Sequence, residues 1–288
     1  MGRGHATTAT VMNATVPAEH PRLIPVSDPD DERISAYRDI RERDLVGREG
    51  RFVAEGKVVL ASLFGGGRFE AESVLVLESR LAGLADTLTS APPDLPVYVV
   101  PADVMDAVAG FHMHRGILAI GRRRPPEPLD DLLGSMPAPA TLVVLVGLAN
   151  HDNVGAIFRN AAAFGADAVL LDRTSCDPLY RKAIRVSVGA ALKVPFVRGG
   201  DAAELIAAVQ RHGFETLALS PSGKEDIRSI ERPARLALVL GTEGTGLPAN
   251  LLSAMRTARI AMKPGFDSLN VAAASAIALH AMLGQQVG

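Results

Sequence analysis

Polar residues that could do chemistry collect in three short stretches of the second half of the chain, residues 153–159, 241–247 and 268–271. The first contains Asn153 and Arg159, the second places Glu243 among glycines, and the third begins Ser-Leu-Asn. Each lies where an apolar, strand-like segment turns into a helix-like one. Because open α/β sheets bind ligands at such turns, the three stretches together predict one composite site.

Arg159 and Glu243 are the charged candidates in this site. Arg159 interrupts an otherwise apolar helical run, residues 156–164, where a lone arginine would normally extend its guanidinium to the surface. Gly241 and Gly246 permit close approach of the backbone to a ligand, although such glycines are also typical of an ordinary turn. A carboxylate among them would repel phosphate. We therefore interpret Glu243 as a neighbour of a cation or as a group that orients Arg159.

Ser268 and Asn153 each have two compatible interpretations. Both lie at predicted helix starts, where a short polar side chain can cap free backbone N–H groups. Alternatively, Ser268 could hold a ribose or Arg159, and Asn153 could contact a phosphate or ribose of a substrate. The sequence leaves both interpretations open for these two residues. Asn270 is interpreted as a residue that fixes its loop.

The chain divides by composition into four segments. Residues 1–32 are rich in Thr, Ala, Pro and acidic residues and are predicted to be a disordered extension. Residues 33–120 alternate helix-like and strand-like runs, which indicates a small α/β domain. Residues 121–139 hold three consecutive arginines and two proline clusters, typical of a stiff, exposed linker. Residues 140–288 form the second domain.

The periodicity within the two domains predicts their elements. In the first domain we expect helices at 34–43 and 55–64, the latter burying Val58, and strands at 51–54, 73–77, 97–100 and 116–120. The second domain opens with the unbroken apolar run 142–146, which is typical of a parallel strand buried on both faces. Further strand-like runs at 168–171, 214–219, 236–240 and 258–262 alternate with helical stretches. This alternation predicts a doubly wound α/β fold with a parallel sheet.

Composition excludes several classes of function. Cys176 is the single cysteine, so a disulfide framework or cysteine-based metal cluster is excluded and no metal site is expected. Without a signal segment or a run of about 18 apolar residues, we expect no membrane span and a cytoplasmic protein. The net charge of −2 is low for a nucleic-acid binder, so RNA contacts would come from local basic patches.

The three stretches resemble the motifs of the SpoU (TrmH-type) RNA ribose 2′-O-methyltransferases, and the likeness covers most of residues 141–285. The residues that carry it are, in chain order, Asn153, Gly155 and Arg159, then Gly241, Glu243, Gly246 and Leu247, then Ile260, Met262, Gly265, Ser268, Leu269, Asn270 and Val271. The family often has Pro before the methionine, where this chain has Ala261. Because proline would only stiffen that turn, we expect little loss from the difference.

The resemblance implies S-adenosylmethionine as the methyl donor and a ribose 2′-hydroxyl of structured rRNA or tRNA as the acceptor. It also implies a SPOUT-type trefoil knot in the catalytic domain and a homodimer whose cofactor sites lie near the subunit interface. Catalytic roles then belong to Arg159, Glu243, Ser268, Asn270 and Asn153. Cofactor contacts belong to Gly241, Gly246, Leu247, Ile260, Met262 and Leu269.

The role of Arg159 has two alternatives within this resemblance. The family's arginine is often described as the base that takes the hydroxyl proton. A guanidinium is effectively always protonated. Stabilising the alkoxide and binding the adjacent phosphate is therefore the second alternative.

A weaker resemblance covers residues 45–120. The runs 52–56 and 115–119 look like the RNA substrate-binding domain that often precedes the catalytic one in this family and is related to kink-turn-binding ribosomal proteins. Phosphate contacts are expected from two basic groups, although either could be an ordinary solvated surface. They are Arg181, Lys182 and Arg185 in the second domain and Arg122, Arg123 and Arg124 in the linker.

The same residues bear on two other classes of function. A non-catalytic RNA-binding or ribosome-assembly factor could keep the knotted fold, but it would have no evident reason to hold Arg159, Glu243, Ser268 and Asn270 together. A dinucleotide-binding enzyme is excluded, because no G-x-G-x-x-G turn follows the first strand of the second domain.

Overall fold

The computed structural model describes residues 23–38, 46, 49–110, 113, 115–265 and 268–283 of the 288-residue chain. These residues form two sheets, each covered by helices. We call the first sheet with its helices the first unit and the second sheet with its helices the second unit. Among the described residues, no helix has both the length and the apolar character needed to cross a bilayer.

The first unit is built on a mixed five-stranded sheet. Its strands are β1 (Leu23–Pro25), β2 (Arg51–Glu55), β3 (Phe69–Leu77), β4 (Val97–Val100) and β5 (Ile117–Arg123), in the order β1-β4-β3-β5-β2. Strands β1, β4 and β3 are parallel, whereas β5 is antiparallel to both β3 and β2. The helices are α1 (Lys57–Gly65), α2 (Glu78–Leu81), α3 (Ala85–Leu88) and α4 (Ala102–Ala109).

Three sequence predictions for the first unit need correction. The extension predicted for residues 1–32 is wrong at Leu23–Pro25, because this run pairs with β4 and continues the sheet; residues 1–22 lie outside the described residues. In the helix predicted at 34–43, the described part is a 3-10 helix, Glu32–Tyr37, and residues 39–43 are not described. Val58, expected to be buried, is 59% exposed.

The second unit contains a seven-stranded sheet in which every pairing is parallel, as the apolar runs predicted. Its strands are β6 (Ala140–Leu145), β7 (Ala168–Leu171), β8 (Phe196–Arg198), β9 (Glu215–Leu219), β10 (Glu225–Asp226), β11 (Arg235–Leu240) and β12 (Arg256–Arg259). Their order is β10-β12-β9-β11-β6-β7-β8. The helices are α5 (Leu129–Ser135), α6 (His151–Phe164), α7 (Arg181–Val186), α8 (Ala202–Arg211), α9 (Ala249–Ser253) and α10 (Val271–Leu283).

Both faces of the second sheet are buried. Val143 and Leu145 pack on one face with residues of α6 and α10. Leu142 and Val144 pack on the opposite face with residues of α5 and α8. Because successive side chains of a strand point to opposite faces, this double burial explains why β6 is apolar at every position from 142 to 145.

The predicted linker, residues 121–139, is largely part of the folded units. Its first residues extend β5, where Arg122 lies opposite Arg51 in the register with β2. Its later residues form α5, whose Leu132 and Leu133 are buried against the second sheet. The prediction of an exposed linker over the whole range is therefore wrong, because apolar residues between the proline clusters pack into the core.

The two units share an apolar core. Leu179, Ile184 and Leu192 of the second unit pack in one cluster with Phe52 and Leu60 of the first. Polar contacts reinforce the same boundary. Arg181 donates to the carboxylate of Glu55 at 2.9 Å, and Arg68 donates to the carbonyl oxygen of Val194 at 2.7 Å.

Candidate active site

A cleft of about 350 Å³ lies at the carboxyl ends of β9, β11 and β12, where the second and third polar stretches meet. We call it the first cleft. It is lined by Leu219, Ser220, Pro221, Leu240, Gly241, Thr242, Glu243, Gly244, Gly246, Ile260, Met262, Ser268, Leu269, Asn270, Val271 and Ala274. The fold therefore brings these two stretches together at the edge of the sheet where ligands of open α/β folds bind.

The glycines of residues 241–247 give this turn a compact shape. Thr242 and Gly246 form an isolated antiparallel bridge, in which the Gly246 N–H donates to the Thr242 carbonyl oxygen at 3.2 Å. Gly244 and Gly246 have φ of +88° and +67°, values that favour glycine. A Cβ at Gly241 would lie 2.6 Å from both the Gly246 carbonyl carbon and the Leu247 nitrogen. The turn therefore requires glycine for conformation at two positions and for space at a third.

A hydrogen-bonded triad joins the three polar stretches. The buried side chain of Asn153 donates through Nδ2 to Oε1 of Glu243. Nδ2 of Asn270 donates to Oδ1 of Asn153 at 3.0 Å and to Oε1 of Glu243 at 3.2 Å. One carboxylate oxygen thus accepts from two amides, so each stretch fixes the position of the other two.

Neither Asn153 nor Ser268, the two residues that the sequence suggested as helix caps, caps its helix. Asn150 caps α6 by accepting from the Asp152 N–H at 2.8 Å, so Asn153 is free to bond Glu243. Asn270 caps α10, because its Oδ1 accepts from the N–H groups of Ala272 at 2.9 Å and Ala273 at 3.2 Å. Ser268, the other candidate cap, is exposed and lines the first cleft.

Arg159 lies on the exposed side of α6 and does not contact Glu243. Within the part of the chain that the structure describes, no hydrogen bond or ion pair is formed by its guanidinium. It is the sixth residue after Asn153, which places the two side chains on different sides of a helix with 3.6 residues per turn. The interpretation of Glu243 as the orienter of Arg159 within one chain is therefore wrong, because the carboxylate of Glu243 accepts a hydrogen bond from Asn153 instead.

Gly155 and Asn160 fix the position of α6 against α7 and α10. A Cβ at Gly155 would lie 2.6 Å from the Ala183 carbonyl oxygen, so this glycine lets α6 pack closely on α7. Asn160 donates through Nδ2 to the Ala272 carbonyl oxygen at 2.8 Å and to Oγ of Ser275 at 2.9 Å, which ties α6 to α10. Gly155 is thus a packing residue of the first motif, and Asn160 is a positioning residue that the sequence analysis missed.

Five of the six residues predicted to contact a cofactor line the first cleft. The exception is Leu247, which is buried and packs on the face of the second sheet that α5 and α8 cover. Leu269 is 41% exposed, although large apolar side chains are usually buried. Ile260 and Met262 add apolar surface to the wall.

The lining fits a ligand with an apolar ring and a positive charge. Its glycines expose backbone groups, and its leucine, isoleucine and methionine side chains supply apolar contact. Among the described residues, the lining contains the carboxylate of Glu243 and no lysine or arginine. An adenosyl group attached to a sulfonium satisfies these conditions, whereas a phosphate-bearing cofactor would find no cation in the wall.

Glu243→Ala should destabilise the protein, because it leaves the buried Nδ2 of Asn153 without its acceptor. Removing one partner of such a hydrogen bond costs about 1–2 kcal/mol where water has partial access. Glu243→Gln keeps an oxygen acceptor and should retain most of the stability. Urea denaturation of both variants checks this, and equal free energies of unfolding for the two variants would contradict the triad.

The predicted phosphate-binding residues are mostly engaged in ion pairs. Arg122 pairs with Glu72, Arg123 with Asp177, and Arg124 with Glu70 at 3.3 Å. In the second group, Lys182 pairs with Asp152 at 2.7 Å and Arg181 with Glu55 at 2.9 Å. Arg185 is exposed and forms no ion pair with the residues that the structure describes.

Arg185 lines a second cleft, of about 520 Å³, between the two units. The other residues of this second cleft are Glu55, Gly56, Lys57, Val58, Val59, Arg80, Gly83, Arg115, Ile117 and Val188. Four cations from distant parts of the chain therefore surround one opening, together with the carboxylate of Glu55, which lies 3.8 Å from Arg115. No local sequence pattern indicates this arrangement, although two of the cations, Lys57 and Arg115, lie in or beside the runs 52–56 and 115–119.

Cys176 is a poor candidate for a chemical role. Burial raises the pKa of the Cys176 thiol to about 12, so the thiol stays protonated at neutral pH. Over the described ranges, no group of three or more His, Cys, Asp or Glu side chains could hold a metal ion.

Known proteins resemble this chain over the same region and beyond it. The SpoU rRNA Methylase family matches residues 140–280. An uncharacterized tRNA/rRNA methyltransferase of Mycobacterium bovis is 39% identical over 277 residues, covering 91% of this chain and 93% of that protein. The 23S rRNA (guanosine-2′-O-)-methyltransferase RlmB of Acinetobacter baylyi is 30% identical over 203 residues, covering 68% and 82%. A solved RNA 2′-O ribose methyltransferase superposes with a TM-score of 0.74 at 26% identity, covering 92% and 100%.

Proposed function

Because this chain belongs to the SpoU methylase family, we propose that it transfers a methyl group from S-adenosylmethionine to a ribose 2′-hydroxyl of structured rRNA or tRNA. The observation that carries the proposal is the Asn153–Glu243–Asn270 triad beside the first cleft. The names of the relatives agree with it, since each is an RNA methyltransferase.

S-adenosylmethionine would occupy the first cleft. Leu269, Ile260 and Met262 would contact its adenine, and Gly241 and Gly246 would meet it through the backbone. When bound, it supplies an electrophilic methyl group on a positively charged sulfur. The carboxylate of Glu243 lines the same cleft and would stabilise that charge, while Asn153 and Asn270 keep the carboxylate in place.

Arg159 would act on the acceptor. A ribose hydroxyl is a poor nucleophile at neutral pH, so the site must align it and stabilise the developing alkoxide. The guanidinium stays protonated, and its exposed position leaves it available for an alkoxide and an adjacent phosphate. We propose this electrostatic role rather than the role of base.

We also propose a homodimer and a trefoil knot. Support for the dimer comes from α10, where Ile277 is 42% exposed on an apolar helix, and from Arg159, which lacks a partner among the described residues. A second copy could bring its Arg159 to the first cleft. For the knot, the support is that the loops that follow β11 and β12 and the start of α10 all line one cleft. Sedimentation of the full chain tests the dimer. We also propose a cytoplasmic location, which accords with an RNA substrate.

The second cleft would carry the RNA backbone. Lys57, Arg80, Arg115 and Arg185 place positive charge from both units around it. Arg185 lies on α7, the helix whose Lys182 pairs with Asp152 at the start of α6. A backbone bound in the second cleft would therefore lead toward the helix that carries Arg159.

Neutralising Arg115 and Arg185 together, as Arg115→Gln/Arg185→Gln, should weaken RNA binding and flatten its salt dependence. Each phosphate contact contributes about 0.7–0.9 to the slope of log K against log salt, so the slope should fall by about 1.5. Filter binding of rRNA from 50 to 300 mM salt measures this slope. The affinity of the double variant for S-adenosylmethionine should not change. The matched control is Arg211→Gln, an exposed arginine on α8. Equal slopes for the double variant and the control would contradict the proposed path.

The alternative function, a non-catalytic RNA-binding factor, differs in one measurable respect. It requires no methyl donor, whereas the first cleft has a lining suited to one. Isothermal titration of the full chain with S-adenosylmethionine separates the two functions. Saturable binding that is lost when a substitution obstructs the first cleft supports the methyltransferase. Absence of binding supports the non-catalytic RNA-binding factor.

A further inference from the structure

A third cleft, of about 320 Å³, lies at the same carboxyl edge of the second sheet, beside the start of α6. Its walls come from the segments that follow β6 and β7, from the end of β8 and from Val46 of the first unit, and they include Ala149, His151, Tyr180 and Arg198. His151 is the first residue of α6, two positions before Asn153 of the triad. The third cleft is therefore next to the first cleft but belongs to different loops.

The imidazole of His151 is the unusual group in this wall. Its Nε2 is buried and has no hydrogen-bond partner among the described residues. The ring packs on Tyr180, with 4.6 Å between the ring centroids and 59° between the ring planes. Burial, and then the charge of Lys182, lower the pKa of His151, so the ring is neutral at neutral pH. A buried polar nitrogen without a partner is rare in folded proteins and calls for a ligand or water.

Most of the other polar groups of the third cleft already have partners within the chain. Oγ of Ser175 bonds the carboxylate of Asp172 at 2.5 Å, and Asp177 accepts from Arg123 and from the Leu179 N–H at 2.9 Å. Arg198 donates to the carbonyl oxygens of Ser175 at 2.9 Å and Arg173 at 3.0 Å. Among the described residues, His151 Nε2 and the hydroxyl of Tyr180 remain without a hydrogen-bond partner.

These features suit a flat, neutral, aromatic occupant rather than an anion. Two adjoining rings offer a stacking surface, and a neutral imidazole can donate or accept one hydrogen bond. The arginines near the third cleft are bound to a carboxylate and to carbonyl oxygens, so no cation is left for a phosphate. Unpaired RNA bases are recognised in this way, by stacking on aromatic side chains and by hydrogen bonds at the base edge.

We propose that the third cleft receives one unstacked nucleobase of the RNA substrate, packed on His151 and Tyr180, with the His151 ring turning so that Nε2, buried in this structure, bonds the edge of the base. The inference rests on the proposed RNA methyltransferase function. It deepens that function by assigning substrate recognition to a pocket beside the catalytic helix. Because His151 and Asn153 are two residues apart on α6, the captured base belongs to a nucleotide close to the methylated one.

The direct test is NMR of the full chain labelled with ¹³C and ¹⁵N at histidine rings, with the His151 signal assigned by the variant His151→Gln. We would titrate it with GMP, AMP, CMP, UMP and ribose 5-phosphate. A shift of the His151 signal by at least one nucleotide, with none by ribose 5-phosphate, is expected. The inference is overturned if no nucleotide moves that signal at millimolar concentration, or if ribose 5-phosphate moves it equally. This result does not depend on whether methyl transfer occurs.

Kinetics with rRNA supply a second readout that a purely structural role would not produce. Tyr180→Leu should raise KM for RNA about tenfold with kcat and the affinity for S-adenosylmethionine unchanged, whereas Tyr180→Phe keeps the ring and should retain the KM of the wild type. The matched histidine control is His212→Gln at the end of α8, where His212 bonds Asp130 at 2.9 Å. Equal KM for Tyr180→Leu, Tyr180→Phe and His212→Gln would overturn the inference. A wild-type protein without any methyl transfer would instead contradict the proposed function.

Discussion

Arg159→Ala should lower the rate of methyl transfer by about 10²–10³-fold, the loss typical of removing one group that stabilises developing negative charge. The affinity for S-adenosylmethionine should stay within about threefold of the wild type, because Arg159 is absent from the lining of the first cleft. Stability should also change little, since the guanidinium is exposed and unpaired among the described residues. Single-turnover transfer with saturating RNA measures the rate, and calorimetry measures the affinity.

Two further variants sharpen this prediction. Arg159→Lys keeps the charge but loses the planar, bidentate donor geometry, so it should recover only a small part of the rate. Arg211→Ala removes an exposed arginine on α8 and should leave the rate unchanged. Arg159→Ala with a rate within tenfold of the wild type would show that the group stabilising the alkoxide lies elsewhere.

Gly241→Ala should weaken S-adenosylmethionine binding about 10- to 100-fold while the protein remains folded. The added Cβ would lie 2.6 Å from backbone atoms of Gly246 and Leu247, which cannot rotate away as a side-chain end could. The turn must therefore shift, at a cost of about 1–3 kcal/mol for overpacking. Since the same turn lines the first cleft, the shift changes the binding surface.

The control for this prediction is Gly65→Ala. Gly65 has no heavy atom within 4 Å of its Cβ position and is not at positive φ, so alanine there should be neutral. Calorimetric titration with S-adenosylmethionine compares the two variants, and thermal denaturation checks that both are folded. Equal affinities for the two would mean that residues 241–247 do not form the cofactor surface.

The sequence predicted the long elements of the second unit because burial on both faces makes their strands continuously apolar. It missed β8 and β10, which have three and two residues. Runs this short carry too few side chains to show a period. Strand β1 was missed for the same reason, since Leu23–Pro25 becomes a strand only by pairing with β4.

The composition of the site was easier to predict than its contacts. Motif residues identified the turns that line the first cleft, but they could not tell which side chain of α6 would reach Glu243. That choice depends on the rotation of the helix, which Gly155 sets by its packing on α7. The second and third clefts depend on residues far apart in the chain, so no local pattern could have indicated either of them.

The most direct test is methyl transfer from labelled S-adenosylmethionine to RNA isolated from cells that lack this protein, with Arg159→Ala in parallel. Label should enter one rRNA or tRNA species and be recovered as a nucleoside methylated on the 2′-oxygen, at a position resistant to alkaline cleavage. The variant should transfer no more than about a hundredth as much. Label recovered on a base, or equal transfer by the variant, would contradict ribose methylation assisted by Arg159. No transfer to any RNA, from a protein that also fails to bind S-adenosylmethionine, would contradict the enzyme itself.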